Sequence, residues 1–276
     1  MKPYKFEYFR PASLEEALDL LARHSEDVRI LAGGQSLVPM MNFRLVQPKK
    51  LMDITAIKSL DYIRAERDTV EVGATTTQAK LLEWPQLAST VPLVAMALPH
   101  VGHFQTRSRG TVCGSVAHSD PVSELPLCLA VLGGSVILSS KKTGSREVSA
   151  ADFQLGLLLT ARRYDEMVTA VRFPVRQPGT GYAFQEMAER KGDLAVCAVA
   201  AKVSDRGIRL GVGGVAEKPT VRDWNDLPDS GLDEALNAFA WDLEGSDDIH
   251  GSAVYRRQLV RRLGRRAIME ARECRK

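Results

Sequence analysis

A short apolar segment that runs directly into a pair of glycines limits, more than any other feature, how this chain can fold. Residues Val28–Leu31 are typical of a β-strand, and Ala32-Gly33-Gly34-Gln35-Ser36 follows without a break. Glycine accepts positive φ, and successive N–H groups of such a loop can face one concavity that binds an anion. The segment therefore predicts a pyrophosphate site. A tight turn without a ligand is the alternative for a Gly-Gly pair taken alone.

A second stretch of small residues, Thr111-Val112-Cys113-Gly114-Ser115, lies further along the chain. It leads to Asp120 and Glu124, whose carboxylates can accept hydrogen bonds from ribose or ribityl hydroxyls. Two phosphate-type loops that are far apart in the sequence favour a long ligand with two phosphates. The motifs of a Rossmann dinucleotide site, a P-loop and a nucleophile elbow do not occur in the sequence.

The distribution of strand and helix patterns predicts two domains. The two patterns alternate up to Pro174, and a capping box formed by Ser13 and Glu16 opens the first helix. The spacing beyond Pro174 indicates an antiparallel meander, with strands predicted at 180–187, 195–203 and 207–215 and helices at 232–241 and 252–272. We therefore predict an α+β fold, with a first domain at residues 1–176 and a second at 177–276 that holds a three-stranded antiparallel sheet and helices.

Charge and cysteine content argue against several classes of function. The net charge of +3 is too small to indicate nucleic-acid binding by itself. No apolar run approaches the roughly 20 residues of a membrane span, and the N-terminus lacks the apolar region of a secretory signal. The four cysteines form no C-x-x-C pair, so we expect neither an iron–sulfur cluster nor a zinc site in this chain. We expect free thiols in a cytoplasmic protein.

Two groups of titratable or charged residues have alternative interpretations. His100, His103 and His118 surround the second loop, and their irregular spacing favours a structural or ligand-adjacent role over a metal site. The C-terminal helical segment carries six arginines between Arg256 and Arg266. Because no aromatic residues are interleaved with them, a solvated or subunit-facing helix is favoured over nucleic-acid binding.

Several motifs together carry a family resemblance that spans nearly the whole chain in register. They are Ile30-Leu31-Ala32-Gly33-Gly34-Gln35-Ser36-Leu37, Pro48-x-x-Leu51-x-Asp53-Ile54, Arg109-Gly110-Thr111-Val112-Cys113-Gly114-Ser115, Asp120-Pro121-x-x-Glu124-Leu125-Pro126, Arg190-Lys191-Gly192-Asp193-Leu194-Ala195 and Gly211-Val212-Gly213-Gly214. In this order and spacing they resemble the FAD-binding (medium) subunits of molybdenum hydroxylases, the xanthine dehydrogenase and carbon monoxide dehydrogenase flavoprotein family. The resemblance implies an FAD-binding domain of the vanillyl-alcohol oxidase type, built of two α/β subdomains.

The resemblance also implies partners and cofactors. A large partner subunit would bind molybdopterin, and a small partner would carry two [2Fe–2S] clusters, in an assembly expected to be a dimer of heterotrimers. This chain would bind FAD and pass electrons from the clusters to an external acceptor, without a catalytic residue or a metal of its own. The protein's task at such a cofactor is to bind, orient and tune it. A stand-alone FAD-dependent oxidoreductase and an assembly protein that has lost the cofactor are the alternatives.

The family's cofactor-binding positions can be transferred residue by residue. The first loop would hold the pyrophosphate, mostly through backbone N–H groups, and the second loop would hold the other side of the FAD. Val101 would pack near the flavin or the adenine, and Gln185 stands where relatives often have a lysine. The expected binding residues are Ile30, Leu31, Ala32, Gly33, Gly34, Gln35, Ser36, Leu37, Val101, Thr111, Val112, Cys113, Gly114, Ser115, Asp120, Glu124 and Gln185.

One position departs from the family pattern, because Cys113-Gly114 stands where the family usually has two glycines. A cysteine at positive φ would be strained by about 1–2 kcal/mol. We therefore predict an ordinary backbone conformation for Cys113, whose N–H would donate to the cofactor. A small, tolerated side chain is favoured over a redox-active thiol, since nothing in the sequence indicates a lowered thiol pKa.

Overall fold

A small parallel sheet built from the N-terminal segment carries the first glycine loop. A computed structural model describes residues 1–275, so Lys276, the last residue of the predicted second domain, lies outside the described part. The three strands pair in the order β1-β3-β2. The elements of this part are β1 (Glu7–Phe9), α1 (Leu14–His24), β2 (Val28–Leu31), α2 (Leu37–Asn42) and β3 (Lys50–Asp53).

The start of α1 forms as the sequence predicts. Ser13 has an extended backbone and its side chain accepts a hydrogen bond from the N–H of Glu16. The Glu16 carboxylate in turn accepts from the N–H of Ala12, at 2.8 Å. The bond to Ser13 satisfies an N–H group that the first turn of the helix leaves free, and the bond from Ala12 holds the chain just before the helix. Together they determine where α1 begins.

A five-stranded antiparallel sheet forms the second part of the N-terminal half, in the order β4-β5-β10-β6-β7. Its strands are β4 (Ile63–Ala65), β5 (Thr69–Gly73), β6 (Ser135–Ser140), β7 (Gly144–Ser149) and β10 (Glu166–Pro174). The short pair β8 (Gln154–Gly156) and β9 (Leu159–Thr160) forms a separate hairpin. The helices are α3 (Gln78–Leu82), α4 (Leu87–Thr90), α5 (Pro92–Ala97), α6 (Phe104–Arg109), α7 (Val112–His118), α8 (Glu124–Leu132) and α9 (Ala150–Phe153).

The C-terminal sheet has four antiparallel strands, so the prediction of three was wrong. The strands are β11 (Gly181–Met187), β12 (Cys197–Ser204), β13 (Gly207–Gly213) and β14 (Thr220–Trp224), followed by helices α10 (Leu232–Asp242) and α11 (Ala253–Glu273). The missed strand β14 is an edge strand, which within residues 1–275 pairs with β13 alone. Its residues are partly exposed, and a half-exposed edge carries little of the apolar signal by which strands are recognised.

Helix α8 lies between the two halves and is buried on all sides, over its whole length. A helix that is apolar all round is typical of such a position. Its contact with β13 is direct, because a Cβ at Gly211 would overlap Val131 and lie 2.9 Å from the Cδ1 of Leu127. The glycine-rich segment of β13 therefore serves close packing of a helix on a sheet.

The arginines of α11 are mostly bonded within the chain. Arg256 is only 4% exposed and donates to the carbonyl of Val196 at 2.7 Å, to the carbonyl of Gly214, and to the Asp248 carboxylate at 2.6 Å. Further along the helix, Arg265 and Arg266 form ion pairs with carboxylates of this chain.

None of the helices in residues 1–275 has the length and apolar character that crossing a membrane requires.

Candidate functional site

A cleft of about 690 Å³ opens where the parallel sheet, the five-stranded sheet and the C-terminal half meet. This volume is within the usual range for small-molecule sites. All but two of the predicted binding residues line it. They are Ile30, Leu31, Ala32, Gly33, Gly34, Gln35, Ser36, Leu37, Val101, Thr111, Cys113, Gly114, Ser115, Asp120 and Glu124. The structure thus brings together two loops that are far apart in the sequence.

The first loop presents a row of free backbone donors. Gly34 has a φ of +72°, and its carbonyl accepts from the N–H of Val38, which closes the loop onto α2. Across residues 1–275, no protein acceptor is found for the N–H groups of residues 33–37. Consecutive N–H groups of this kind form a binding site for an anion.

The sequence suggests that Gly33 provides a positive φ in an anion-binding loop, but in the structure Gly33 has a packing role. A Cβ there would overlap the carbonyl oxygen of Arg109 and lie 2.7 Å from the Cα of Gly110. Gly33 is therefore required for backbone-to-backbone packing of the first loop against the segment before the second. The positive φ that glycine allows is used at Gly34 instead.

The second loop is the start of a helix. Thr111 is extended and caps α7, because its Oγ1 accepts from the N–H of Gly114 at 3.0 Å. The Val112 N–H donates to the carbonyl of Thr76 and its side chain is fully buried, so Val112 does not line the cleft. The N–H of Cys113 has no acceptor among the described residues.

Comparison with protein families and with known proteins identifies the group to which the chain belongs. The FAD binding domain in molybdopterin dehydrogenase matches residues 4–176, and the CO dehydrogenase flavoprotein C-terminal domain matches residues 182–271. Caffeine dehydrogenase subunit beta from a Pseudomonas species is 38% identical and is matched over 83% of each chain. The nicotine 6-hydroxylase medium subunit of Paenarthrobacter nicotinovorans is 38% identical over 98% of this chain and 99% of its own.

The mixed α+β fold leads to the same group. Reconstituted CO dehydrogenase from Oligotropha carboxidovorans contains a chain that matches with a TM-score of 0.94 at 32% identity, over 99% of this chain and 100% of that one. The chain belongs to the FAD-binding medium subunits of molybdopterin hydroxylases. This flavoprotein subunit is therefore a component of an oxidoreductase.

In the flavoprotein subunit, Cys113 has the ordinary backbone conformation that we predicted. Its φ is not positive, and its buried thiol donates to the carbonyl of Val72 at 3.3 Å. Burial raises the pKa of this thiol well above its usual value, and Glu71 adds to the shift. A protonated, buried thiol favours a packing role over redox chemistry.

Glu124 is the most strongly perturbed carboxyl group of the cleft. It occupies the first turn of α8 and is 7% exposed. Burial raises its pKa to about 7, and the nearby Glu186 adds to this shift. Near neutral pH the group exists in both protonation states, so it can accept a hydrogen bond from a ligand hydroxyl or donate one.

The histidines around the second loop have separate positions. His103 and His118 line the cleft, and burial lowers the pKa of His118. His100 lies 3.7 Å from the buried carboxylate of Glu186, and its interaction with this carboxylate raises the pKa of His100. In residues 1–275, no three His, Cys, Asp or Glu side chains are grouped so that they can hold a metal ion.

Sequence reasoning missed one wall of the cleft, which the C-terminal half contributes through Gly192, Asp193 and Leu194. Gly192 has a φ of +89°, and a Cβ there would lie 2.6 Å from the ring of His103. The family motif that spans residues 190–195 was the signal that could have assigned this segment to the site. Such close packing at Gly192 closes the cleft on the side of the C-terminal half.

Gln185 does not reach the cleft, although we expected it there. Its amide donates to the Glu270 carboxylate at 2.6 Å, which joins β11 to α11.

Two arginines line the cleft although the sequence did not predict them there, Arg29 on β2 and Arg162 after β9. Neither belongs to a motif that would have singled it out.

Proposed function

We propose that this chain is the FAD-binding electron-transfer subunit of a heterotrimeric molybdenum hydroxylase. It would stand between two [2Fe–2S] clusters of a small partner subunit and an external acceptor, while a large partner binds molybdopterin. The row of free N–H groups at residues 33–37 carries the assignment of the site, because a pyrophosphate is the anion of FAD that such a row can bind. The relatives named as medium subunits support the multi-subunit assembly.

The residues of the cleft fit FAD. Residues 30–37 would hold the pyrophosphate through backbone N–H groups, and the N–H of Cys113 would donate from the start of α7. Val101 would pack against a ring of the cofactor, and Asp120 and Glu124 would bind hydroxyls. Bound FAD would supply the redox chemistry, and the chain supplies position and electrostatics. Val112 and Gln185 have no place in this set.

The first test is a titration of the full-length chain with FAD, followed by flavin fluorescence and by the absorbance of bound flavin. We expect one FAD per chain. A properly folded chain that binds no FAD would exclude the electron-transfer role and would favour an assembly protein that has lost the cofactor. Circular dichroism and the cooperativity of thermal unfolding provide the control that the chain is folded.

The second test concerns the partners. The chain, tagged in its native cells, should co-purify with a larger and a smaller subunit and with molybdenum, iron and flavin, in a mass that fits a dimer of heterotrimers. A lone chain that oxidises a substrate would support the stand-alone flavin oxidoreductase instead.

We further propose that the domains span residues 1–176 and 177–276 and that the first domain is of the vanillyl-alcohol oxidase type. We also propose a cytoplasmic location, with which the four free cysteines agree.

A further inference from the structure

Two arginines line the cleft without a carboxylate partner. Arg29 and Arg162 both face it, and within residues 1–275 neither forms an ion pair. Their hydrogen bonds go to backbone carbonyls only. Arg162 donates from Nη1 to the carbonyls of Arg163 and Glu166, at 3.0 and 2.8 Å, and Arg29 donates from Nη1 to the carbonyls of Glu26 and Val28, at 3.3 and 3.4 Å.

The carboxylate of Glu166, four residues after Arg162, is already engaged. The Glu166 side chain accepts from Nε of Arg146 at 2.6 Å and from the backbone N–H of Arg163 at 2.7 Å. Glu166 therefore offers only its carbonyl oxygen to Arg162. The acidic residues that line the cleft, Asp120, Glu124 and Asp193, also leave both arginines unpaired.

The two cations act on each other. Burial lowers the pKa of Arg162, and the second cause of this shift is the positive charge of Arg29. Arginine remains charged nevertheless, because the pKa of a guanidinium group lies far above neutral pH. Two like charges on one partly buried wall repel each other, and the charges of Glu166 and Asp165 act against this repulsion. An anionic ligand that binds both guanidinium groups would reduce the repulsion further.

We propose that Arg29 and Arg162 bind the ADP part of the dinucleotide, with their guanidinium groups directed at its phosphates or its adenine. Three observations lead to this occupant. Among residues 1–275 neither arginine has a counter-ion, and no acceptor is found for the Nε and Nη2 atoms of either side chain. Both arginines also line the same cleft as the free N–H groups of residues 33–37. Guanidinium groups bind phosphates in a fork and stack on planar rings. ADP offers both, whereas the riboflavin part carries no charge.

This inference rests on the proposed function, and the experiment separates the two. FAD and ADP binding are measured on the full-length chain by fluorescence and calorimetry, for the wild type and for R162L, R162K, R29Q and R163L. Arg163 is the matched control, because it is exposed, carries the same charge and does not line the cleft. Thermal unfolding of each variant shows whether it is folded.

We expect R162L to weaken both FAD and ADP roughly 10- to 100-fold, the range for a lost charge-assisted hydrogen bond. R29Q should act in the same direction, R162K should be intermediate, and R163L should bind both ligands like the wild type. Binding of riboflavin should not change in any variant. If R162L fails to fold, R162K and R29Q decide the question.

Several outcomes would contradict the proposal. One is wild-type affinity for FAD and ADP in R162L and R29Q, and another is an equal loss in R163L, which would indicate a general charge effect. An equal loss of riboflavin binding in R162L would place the arginine at the flavin part instead. A wild-type chain that binds no FAD at all would overturn the proposed function itself.

Discussion

The backbone of Gly33 lies directly against the carbonyl oxygen of Arg109, with no room for a side chain between them. This contact joins the two loops of the cleft, whose residues are far apart in the sequence. The loops therefore form one unit, and a change that separates them affects both the stability of the chain and its affinity for FAD.

The contact leads to the first prediction, for G33A. The added methyl would meet backbone atoms that cannot rotate away, so we expect a loss of about 1–3 kcal/mol in the free energy of unfolding and weaker FAD binding. Urea unfolding and FAD titration measure the two effects. G231A is the control, because a Cβ there meets only side-chain atoms at 3.5 Å or more and its φ is negative. Unchanged stability in G33A would refute the packing role.

The second prediction concerns the pH dependence of stability. The pKa of Glu124 rises from 4.5 to about 7 on folding, chiefly through burial. A raised carboxyl pKa means that the folded chain binds the proton more tightly than the unfolded chain. The contribution is complete below pH 4.5 and is lost as the pH rises through about 7.

Between these pH values the ligand-free wild type should lose stability relative to E124Q, by on the order of 3 kcal/mol. Urea unfolding of both variants across this window measures the difference. E217Q is the control, because Glu217 is exposed. Parallel stability curves for wild type and E124Q would contradict the raised pKa.

The third prediction is that Cys113 resists alkylation in the native chain. Its thiol is buried and its pKa is raised, whereas Cys274 is exposed. Because only an accessible thiolate reacts readily, iodoacetamide should label Cys274 and spare Cys113 until the chain unfolds. Mass spectrometry of peptides after a short exposure provides the measurement. Rapid native labelling of Cys113 would revive the redox-active alternative.

The fourth prediction tests the buried arginine of α11. R256L removes the donor from the carbonyls of Val196 and Gly214, so we expect a loss of roughly 2–4 kcal/mol in stability, because buried acceptors are left unsatisfied. R262L, at an exposed position on the same helix, should be nearly neutral. Equal stability of the two variants would show that the Arg256 contacts do not contribute.

Much of the local structure was predictable from the sequence. The cap at Ser13 and strand β2 agree with their predictions. Caps depend on residues within about four positions of each other, and periodicity depends on one element alone. The sequence did not predict strand β14, because a half-exposed edge strand has only a weak apolar pattern.

The sequence by itself determined the family, the two loops and most of the residues that line the cleft, because their motifs occur in one order and spacing. Only the tertiary structure decided that Gly33 packs on Arg109 and that Val112 lies in the core. It also decided that Arg162 faces the cleft with no counter-ion among residues 1–275. The physical reason is that each of these features depends on parts of the chain that are distant in the sequence. One is the backbone segment that packs against the residue, and another is whether a nearby carboxylate is already bonded to a different side chain. The residues next to each position in the sequence do not indicate either.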